Sequence, residues 1–354
     1  MKQRHGLSLI EVERQFGTEK QCLDYLAAAR WPEGVRCLKC GSDKVAPFTS
    51  NETTRERKRK DGTVYEARVP ARHLFQCNNE GCRFQFSAKA QTIFDKSHLP
   101  LPTWFKAIAL MSNAKKGLSA PQMERDLNID YKTAWHLEHR IREAMQSEQG
   151  LFGGTVEVDA TFHGGRYDKR RKRAAYGKQP VAGVLQRNSE AEPSKVKTFL
   201  VSEEIKESMG AVITGNVAKD SSLMTDDHGA YRSLRKDGWA HEIVAHSKDE
   251  WVRGNVHTQG IESFWSLFKR GVIGSFHQVS VKHLNRYLNE FTFRFNNRDA
   301  ENIFALIVLN LAKGKPLRYD ALTEPLRGQT RRPRKQPRST APISPSASEP
   351  SASD

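Results

Sequence analysis

Three carboxylates in this sequence fall where regular structure would present them for chemistry. Thr155-Val-Glu-Val-Asp-Ala-Thr161 alternates strictly, which predicts a strand with Val156, Val158 and Ala160 on one face and Glu157, Asp159 and Thr161 on the other. Asp226 ends a short predicted strand, Ser222–Asp226, and Glu262 sits in the first turn of a helix predicted over 259–270. Such a set suits a hard divalent cation, Mg²⁺ or Mn²⁺, which binds through a few carboxylates and substrate phosphate. Two ions roughly 3.5–4 Å apart can activate an attacking oxygen and stabilise a leaving one, the chemistry of phosphodiester cleavage. With no cation, converging carboxylates repel and raise one another's pKa values. Lys269 follows Glu262 two turns along nearly the same helix face, where it would hold a DNA phosphate. A lone Asp or Glu is more often a solvated residue or a cap, and Asp227 and Glu157 compete locally for the role.

The cysteines suggest a second, structural ion. Cys37-Leu-Lys-Cys40 and Cys77-Asn-Asn-Glu-Gly-Cys82 form two knuckles, each able to turn both thiolates toward one Zn²⁺. Four thiolates close a tetrahedral site with no open position, so the ion would hold a fold and not catalyse. The charged stretch 51–72 reads as an insertion that lengthens the distance between the knuckles. Cys22 reads as a core thiol and His73 as a weak substitute ligand.

These groups need elements to position them. Residues 1–98 read as an N-terminal region holding the zinc ribbon, and 99–150 as a helical segment. Trp104, Ile108 and Met111 share a helix face, and Ser119 with Gln122 can form a capping box with Pro121 in the first turn. Asn128-Ile-Asp130 breaks that helix and caps the next, striped by Ala134, Leu137, Ile141 and Met145. This is a helix-turn-helix pattern, and Lys132, Arg140 and Arg142 would reach DNA from its second helix. From 151 the period becomes that of strands: 155–161, 181–187, 196–201, 222–226 and 241–245. Helices striped by Ile261/Phe264/Trp265/Phe268 and Leu284/Tyr287/Leu288/Phe291/Phe295 follow, then an apolar helix over 302–313. The catalytic region spans 151–315, and 327–354 reads as a disordered basic, then Ser/Pro-rich tail.

Charge names the partner. Fifty-seven Lys and Arg against 41 Asp and Glu leave +16 with His neutral, an excess that a fold does not need and a polyanion explains. A run with Arg170, Arg171 and Lys172 at its centre adds a candidate DNA-binding loop. No run of ~18 apolar residues predicts a membrane span, and the charged N-terminus does not read as a secretion signal. Cytoplasmic, nucleoid-associated placement is therefore expected, with DNA as partner and no membrane. A DNA-binding regulator without catalysis, and a nuclease that cuts without joining, remain alternatives.

The order CRFQFSAKAQTIFDKSHLPLPTWFKAIALMSNAKKGLSAPQMERDLNIDYKTAWHLEHRIREAM, TVEVDATFHGG, LMTDDHGAY, HTQGIESFWSLFKRGVIGSFHQVS and NEFTFRFNNR resembles the DDE transposases of small bacterial insertion sequences that carry an N-terminal zinc ribbon, the ISXO-two-like domain group. The resemblance spans about Cys37 to Arg298. It implies an α/β fold: an RNase H-like core, a mixed five-stranded sheet with flanking helices, preceded by the zinc ribbon and the helix-turn-helix. It further implies catalysis by Asp159, Asp226 and Glu262 with two divalent ions, and cutting and joining of DNA by direct transesterification. The substrates would be the element's terminal inverted repeats and a target duplex, handled by a dimer or larger assembly. Some relatives place Asn as the third catalytic residue, in the segment where this chain has Gln259, so Gln259 stands beside Glu262 for that position.

Overall fold

The computed structural model describes residues 6–59, 61–146, 150–164, 167–168, 173–174, 178–190 and 192–324. Its N-terminal helices are set by local capping. In α1 (Leu9–Phe16) the Ser8 side chain accepts from the Glu11 amide while Glu11 accepts from the Ser8 amide, and Thr18 and Gln21 repeat this at α2 (Glu19–Arg30). Each box satisfies donors that a first helical turn leaves open. Strands β1 (Val45–Thr49), β2 (Thr53–Lys58), β3 (Val64–Val69), β4 (His73–Cys77) and β5 (Gln85–Phe86) follow. β1, β4 and β5 make one antiparallel sheet, while β2 and β3 pair as a separate hairpin. Within the stretch 51–72, residues 53–58 and 64–69 therefore pair as a ribbon.

Helices α3 (Leu101–Asn113), α4 (Ala120–Leu127) and α5 (Tyr131–Glu143) come next. Asn128 takes a left-handed φ of 50° at the break, and the Asp130 side chain caps α5 by accepting from the Thr133 amide. Ser119 makes no side-chain capping bond, so the expected capping box at α4 does not form.

The second half builds β6 (Thr155–Gly164), the short pair β7 (Tyr167–Asp168) and β8 (Arg173–Ala174), β9 (Lys178–Gln186), β10 (Lys195–Leu200), α6 (Lys206–Asn216), β11 (Ser222–Asp226) and β12 (Ala240–Val244). It ends with α7 (Gln259–Gly271), a π turn Val272–Phe276, α8 (Val281–Asn296), α9 (Ile303–Lys313) and α10 (Tyr319–Thr323). Five strands form one mixed sheet, ordered β10-β9-β6-β11-β12. The first three are antiparallel neighbours, and β11 runs parallel to both β6 and β12.

Each face of that sheet has its own core. Val156, Val158, Ala182 and Val184 meet Met209 and Ile213 of α6 on one side. Val181, Leu185 and Val196 meet Ile261, Phe264, Trp265 and Phe268 of α7, with Leu284 and Leu288 of α8, on the other. A third core joins α1–α5 to α9, across which the Phe16 ring lies 5.0 Å from Phe105 and 5.8 Å from Phe304. No described helix is long and apolar enough to cross a membrane. Chain contacts divide at Arg318, and the short second unit begins with α10.

Candidate active site

Asp159 lies mid-strand on β6, paired with Gly183 of β9. A Cβ on Gly183 would come within 2.5 Å of the Trp265 ring and 2.8 Å of Ile261, so the missing side chain lets α7 lie against the sheet beside Asp159. The parallel register matches Met224 to Glu157, and continuing it two residues sets Asp226, at the end of β11, alongside Asp159. Glu262 enters from the first turn of α7.

Electrostatics ties these positions together. The Asp159 carboxyl is pushed up to about 7, first by burial and then by the charge of Asp226; Glu204 and Glu262 push the same way, and the Ala160 backbone hydrogen bond opposes them. The Asp226 Oδ1 accepts from the His228 amide at 3.1 Å. The Thr258 hydroxyl donates to Glu262 Oε1 at 2.5 Å, and His246 Nε2 stands 3.7 Å from the same oxygen.

Glu204 is a carboxylate that sequence patterns did not single out. It follows β10 in an irregular segment, beside the equally plausible Glu203, and periodicity has no hold there. Its side chain is 12% exposed, with Oε1 3.4 Å from His228 Nδ1. Burial raises its pKa, Asp226 raises it further, and His228 lowers it. Beneath the cluster, the buried Tyr231 hydroxyl has no hydrogen-bond partner, and Asp159, Glu204 and Asp226 add to the burial that lifts its pKa well above the ordinary value.

The donor set fits a hard divalent cation: several carboxylates border a half-buried place, and among the described residues no Lys or Arg forms an ion pair with Asp159, Asp226, Glu204 or Glu262. The oxygens of Asp159, Asp226 and Glu262 are not gathered within 4.8 Å of one another, as the cysteine sulfurs are. That openness suits an ion that keeps waters and takes substrate phosphate among its ligands. Lys269, in the last turn of α7, is exposed and lines a cleft of about 460 Å³ with Thr161, His163, Phe268 and His277. Gln259 opens α7 and is exposed.

Glu157, the local competitor of Asp159, has another task. Its carboxylate is 1% exposed and accepts from Arg187 Nε at 2.7 Å and from the Ile261 amide at 2.8 Å. Arg187 in turn donates to the carbonyls of Asn255 and His257, both at 2.7 Å. One buried ion pair thus ties β6 and β9 to the start of the helix that carries Glu262. Glu157→Ala should lower stability by about 3–5 kcal/mol, because it strips the Arg187 charge of its carboxylate and leaves a helix-start amide unsatisfied. Urea unfolding measures this, and a change below about 1 kcal/mol would contradict the clamp.

In the N-terminal sheet Cys37, Cys40, Cys77 and Cys82 converge, with all four sulfurs within 4.8 Å of one another. Cys37–Cys82 and Cys40–Cys77 are each 3.7 Å apart. A tetrahedron with ~2.3 Å metal–sulfur bonds has edges of about 3.8 Å, so the residues fit a structural Zn²⁺. Gly41 and Gly81, with φ of 74° and 81°, turn the chain back at the knuckles. His73 instead meets the Thr49 hydroxyl, and Cys22 is a buried thiol of the helical core whose pKa burial pushes up to about 12.

Residues 17–85 match the transposase zinc-ribbon domain, and residues 151–296 match the ISXO2-like transposase domain of the same family. These two segments carry the domains of the IS1595 transposase family. Over 79% of its length the chain is 25% identical to an uncharacterised protein in the transposable element ISH50 of Halobacterium salinarum, covering 92% of that protein. It is also 28% identical, over 34% of its length, to an uncharacterised transposase-like protein of Haemophilus influenzae, covering 95% of it. Among solved structures it resembles a chain in the cryo-EM structure of a simian T-cell lymphotropic virus intasome in complex with PP2A regulatory subunit B56 gamma. There the identity is 13% over 61% of this chain and 75% of that one, with a TM-score of 0.25.

The helix pair α4–α5 presents less charge than its sequence promised. Lys132 is exposed in the first turn of α5, but Arg140 and Arg142 are 6% and 0% exposed. Arg140 donates to the carbonyls of Ile93 and Asp95 and lies 4.6 Å over the Trp104 ring. Arg142 donates to Glu290 at 2.6 Å and Glu138 at 3.0 Å, and lies 4.2 Å over the Tyr287 ring. Guanidiniums buried in this way are closed off from a phosphate, so the expected DNA contacts from these two arginines are corrected to packing and ion-pair roles. Arg170, Arg171 and Lys172 lie outside the described residues, as does the tail at 327–354.

Proposed function

We propose that this protein is the DNA transposase of an insertion sequence, with an RNase H-like core that cuts at the element's terminal inverted repeats and joins the freed ends to target DNA. The carrying observation is that Asp159, half-buried on the central strand, is pushed up to about 7 by burial and partly by Asp226 and Glu262, which arrive from distant parts of the chain. The mixed sheet order and the parallel β6–β11 pairing agree with that core. Asp159, Asp226 and Glu262 would hold two Mg²⁺ or Mn²⁺ ions, and Glu204, whose charge also acts on Asp159, is a further candidate ligand. The cations, when bound, supply charge neutralisation at the scissile phosphate and activation of the attacking oxygen. Thr258 and His246 orient the Glu262 carboxylate, and Lys269 binds a phosphate flanking the cut. Strand transfer uses the freed 3′-OH directly, so no protein nucleophile is assigned. The zinc ribbon and the exposed first turn of α5 would recognise the terminal repeats, and the basic residues Arg170, Arg171 and Lys172 and those after residue 326 would add salt-sensitive affinity. Pairing two ends calls for a dimer or larger assembly on DNA.

The test is an oligonucleotide assay with Mg²⁺, a labelled element end and a target plasmid. Joined products support transposition. Nicks with no joined product would make the protein a nuclease, and binding with neither product would make it a regulator.

A further inference from the structure

The hairpin β2–β3 sorts its charges by face. Its register pairs Arg55 with Ala67 and Arg57 with Tyr65, and, on the opposite face, Thr54 with Arg68, Glu56 with Glu66 and Lys58 with Val64. Directly paired residues share a face. One face therefore carries Arg55, Arg57 and Tyr65, extended by Arg59, whose guanidinium lies 5.1 Å over the Tyr65 ring. It carries no carboxylate. The other face carries Glu56 and Glu66 with Lys58 and Arg68, and Glu52 grips Arg68 in a two-point ion pair. Every residue of β2 is exposed, and among the described residues no acid pairs with Arg55, Arg57 or Arg59.

We infer that the arginine face of this ribbon is a duplex-DNA contact surface projecting from the zinc module. The inference rests on the transposase reading and deepens it by naming a part of the chain that touches DNA. A two-stranded antiparallel ribbon fits the major groove, and alternation brings one arginine to the same side about every 6.8 Å. The acidic residues are confined to the far face, so the approach of a polyanion meets only cations. A ribbon shaped for solubility alone has no reason to separate its charges, because alternating pairs would serve as well.

Neighbouring residues on opposite faces make the test. Arg57→Ala and Lys58→Ala remove the same charge from adjacent exposed positions. Fluorescence anisotropy with the full chain and a labelled element-end duplex, read across salt concentrations without Mg²⁺, should show Arg57→Ala weakening binding about fivefold near physiological salt and reducing the log–log salt slope by about one. Lys58→Ala should leave both unchanged. Both variants should keep the wild-type melting temperature. Equal losses for the two variants, or none for either, would overturn the ribbon assignment while leaving the transposase reading intact. Wild-type protein with no salt-dependent affinity for any duplex would overturn both.

Discussion

Asp159→Asn should make the metal-free protein more stable near neutral and alkaline pH while removing Mg²⁺-dependent cleavage. The sign follows from the raised carboxyl. An unfolded Asp ionises near 3.8, but in the fold Asp159 holds its proton to about 7. Its contribution to stability is full below the unfolded value and is lost as pH rises toward about 7, because the unfolded chain ionises freely while the folded one must bury a charge among carboxylates. The upper bound on that loss is roughly 4 kcal/mol, from a shift of about three pKa units. Asparagine has nothing to ionise, so the variant should be the more stable of the two at about pH 8 and similar to wild type at about pH 4. Titrating Mg²⁺ should then stabilise wild type and leave the variant nearly unmoved. Cleavage should fall by roughly 10³-fold or more, the equivalent of several kcal/mol of lost transition-state stabilisation. Thermal melts across pH with and without Mg²⁺, beside the oligonucleotide assay, read both halves. Wild-type cutting by the variant ends the metal reading, and a variant no more stable than wild type at high pH ends the electrostatic one.

Cys77→Ser should have the larger effect on folding. Cys77 is fully buried and sits between β4 and the rest of the knuckle, its amide bonded to the Phe84 carbonyl. Structural zinc contributes apparent free energies of about 10–16 kcal/mol in small domains, so losing one thiolate should release the ion and melt β1, β4 and β5. Trp31 reports this directly, since its ring lies 5.8 Å from Phe75 and 6.0 Å from Phe86. Elemental analysis should find about one zinc per wild-type chain and none in the variant, with a red shift of tryptophan emission. The helical core around Phe16, Phe105 and Phe304 should keep its circular dichroism. Unchanged zinc content would refute the four-cysteine centre.

The legible parts of this fold were those with a period. β6 announced itself because Val156, Val158 and Ala160 alternate against Glu157, Asp159 and Thr161, and β11 appears at the residues expected, Ser222–Asp226. The cysteine spacing pointed to a cluster that the structure contains. The hairpin at 53–69 was hidden because both of its strands are polar, and a strand is read from one apolar face. The helices at 9–30 carry a local signature of another kind, the capping pairs Ser8 with Glu11 and Thr18 with Gln21. Arg140 and Arg142 show a different limit. Periodicity finds the apolar stripe of α5 but not a second buried face, which exists only because α8 brings Glu290 against it from 148 residues away. Glu204 is the same kind of case: its neighbours Asp226 and His228 are set by the sheet and not by spacing.

That encounter between α5 and α8 has a mechanical consequence. The sheet is strung between two stretches of one helical body, α1–α5 before it and α9 after it, and Arg142 bolts the first stretch to the helix lying on the sheet. A module hung on a single tether swivels; one entered and left through the same body, with a water-free bolt between them, turns with it. Under the proposed function, a nucleotide grasped at the front of the molecule would be held at a set reach from the carboxylates, and the offset between recognised and severed positions would be a dimension of the scaffold.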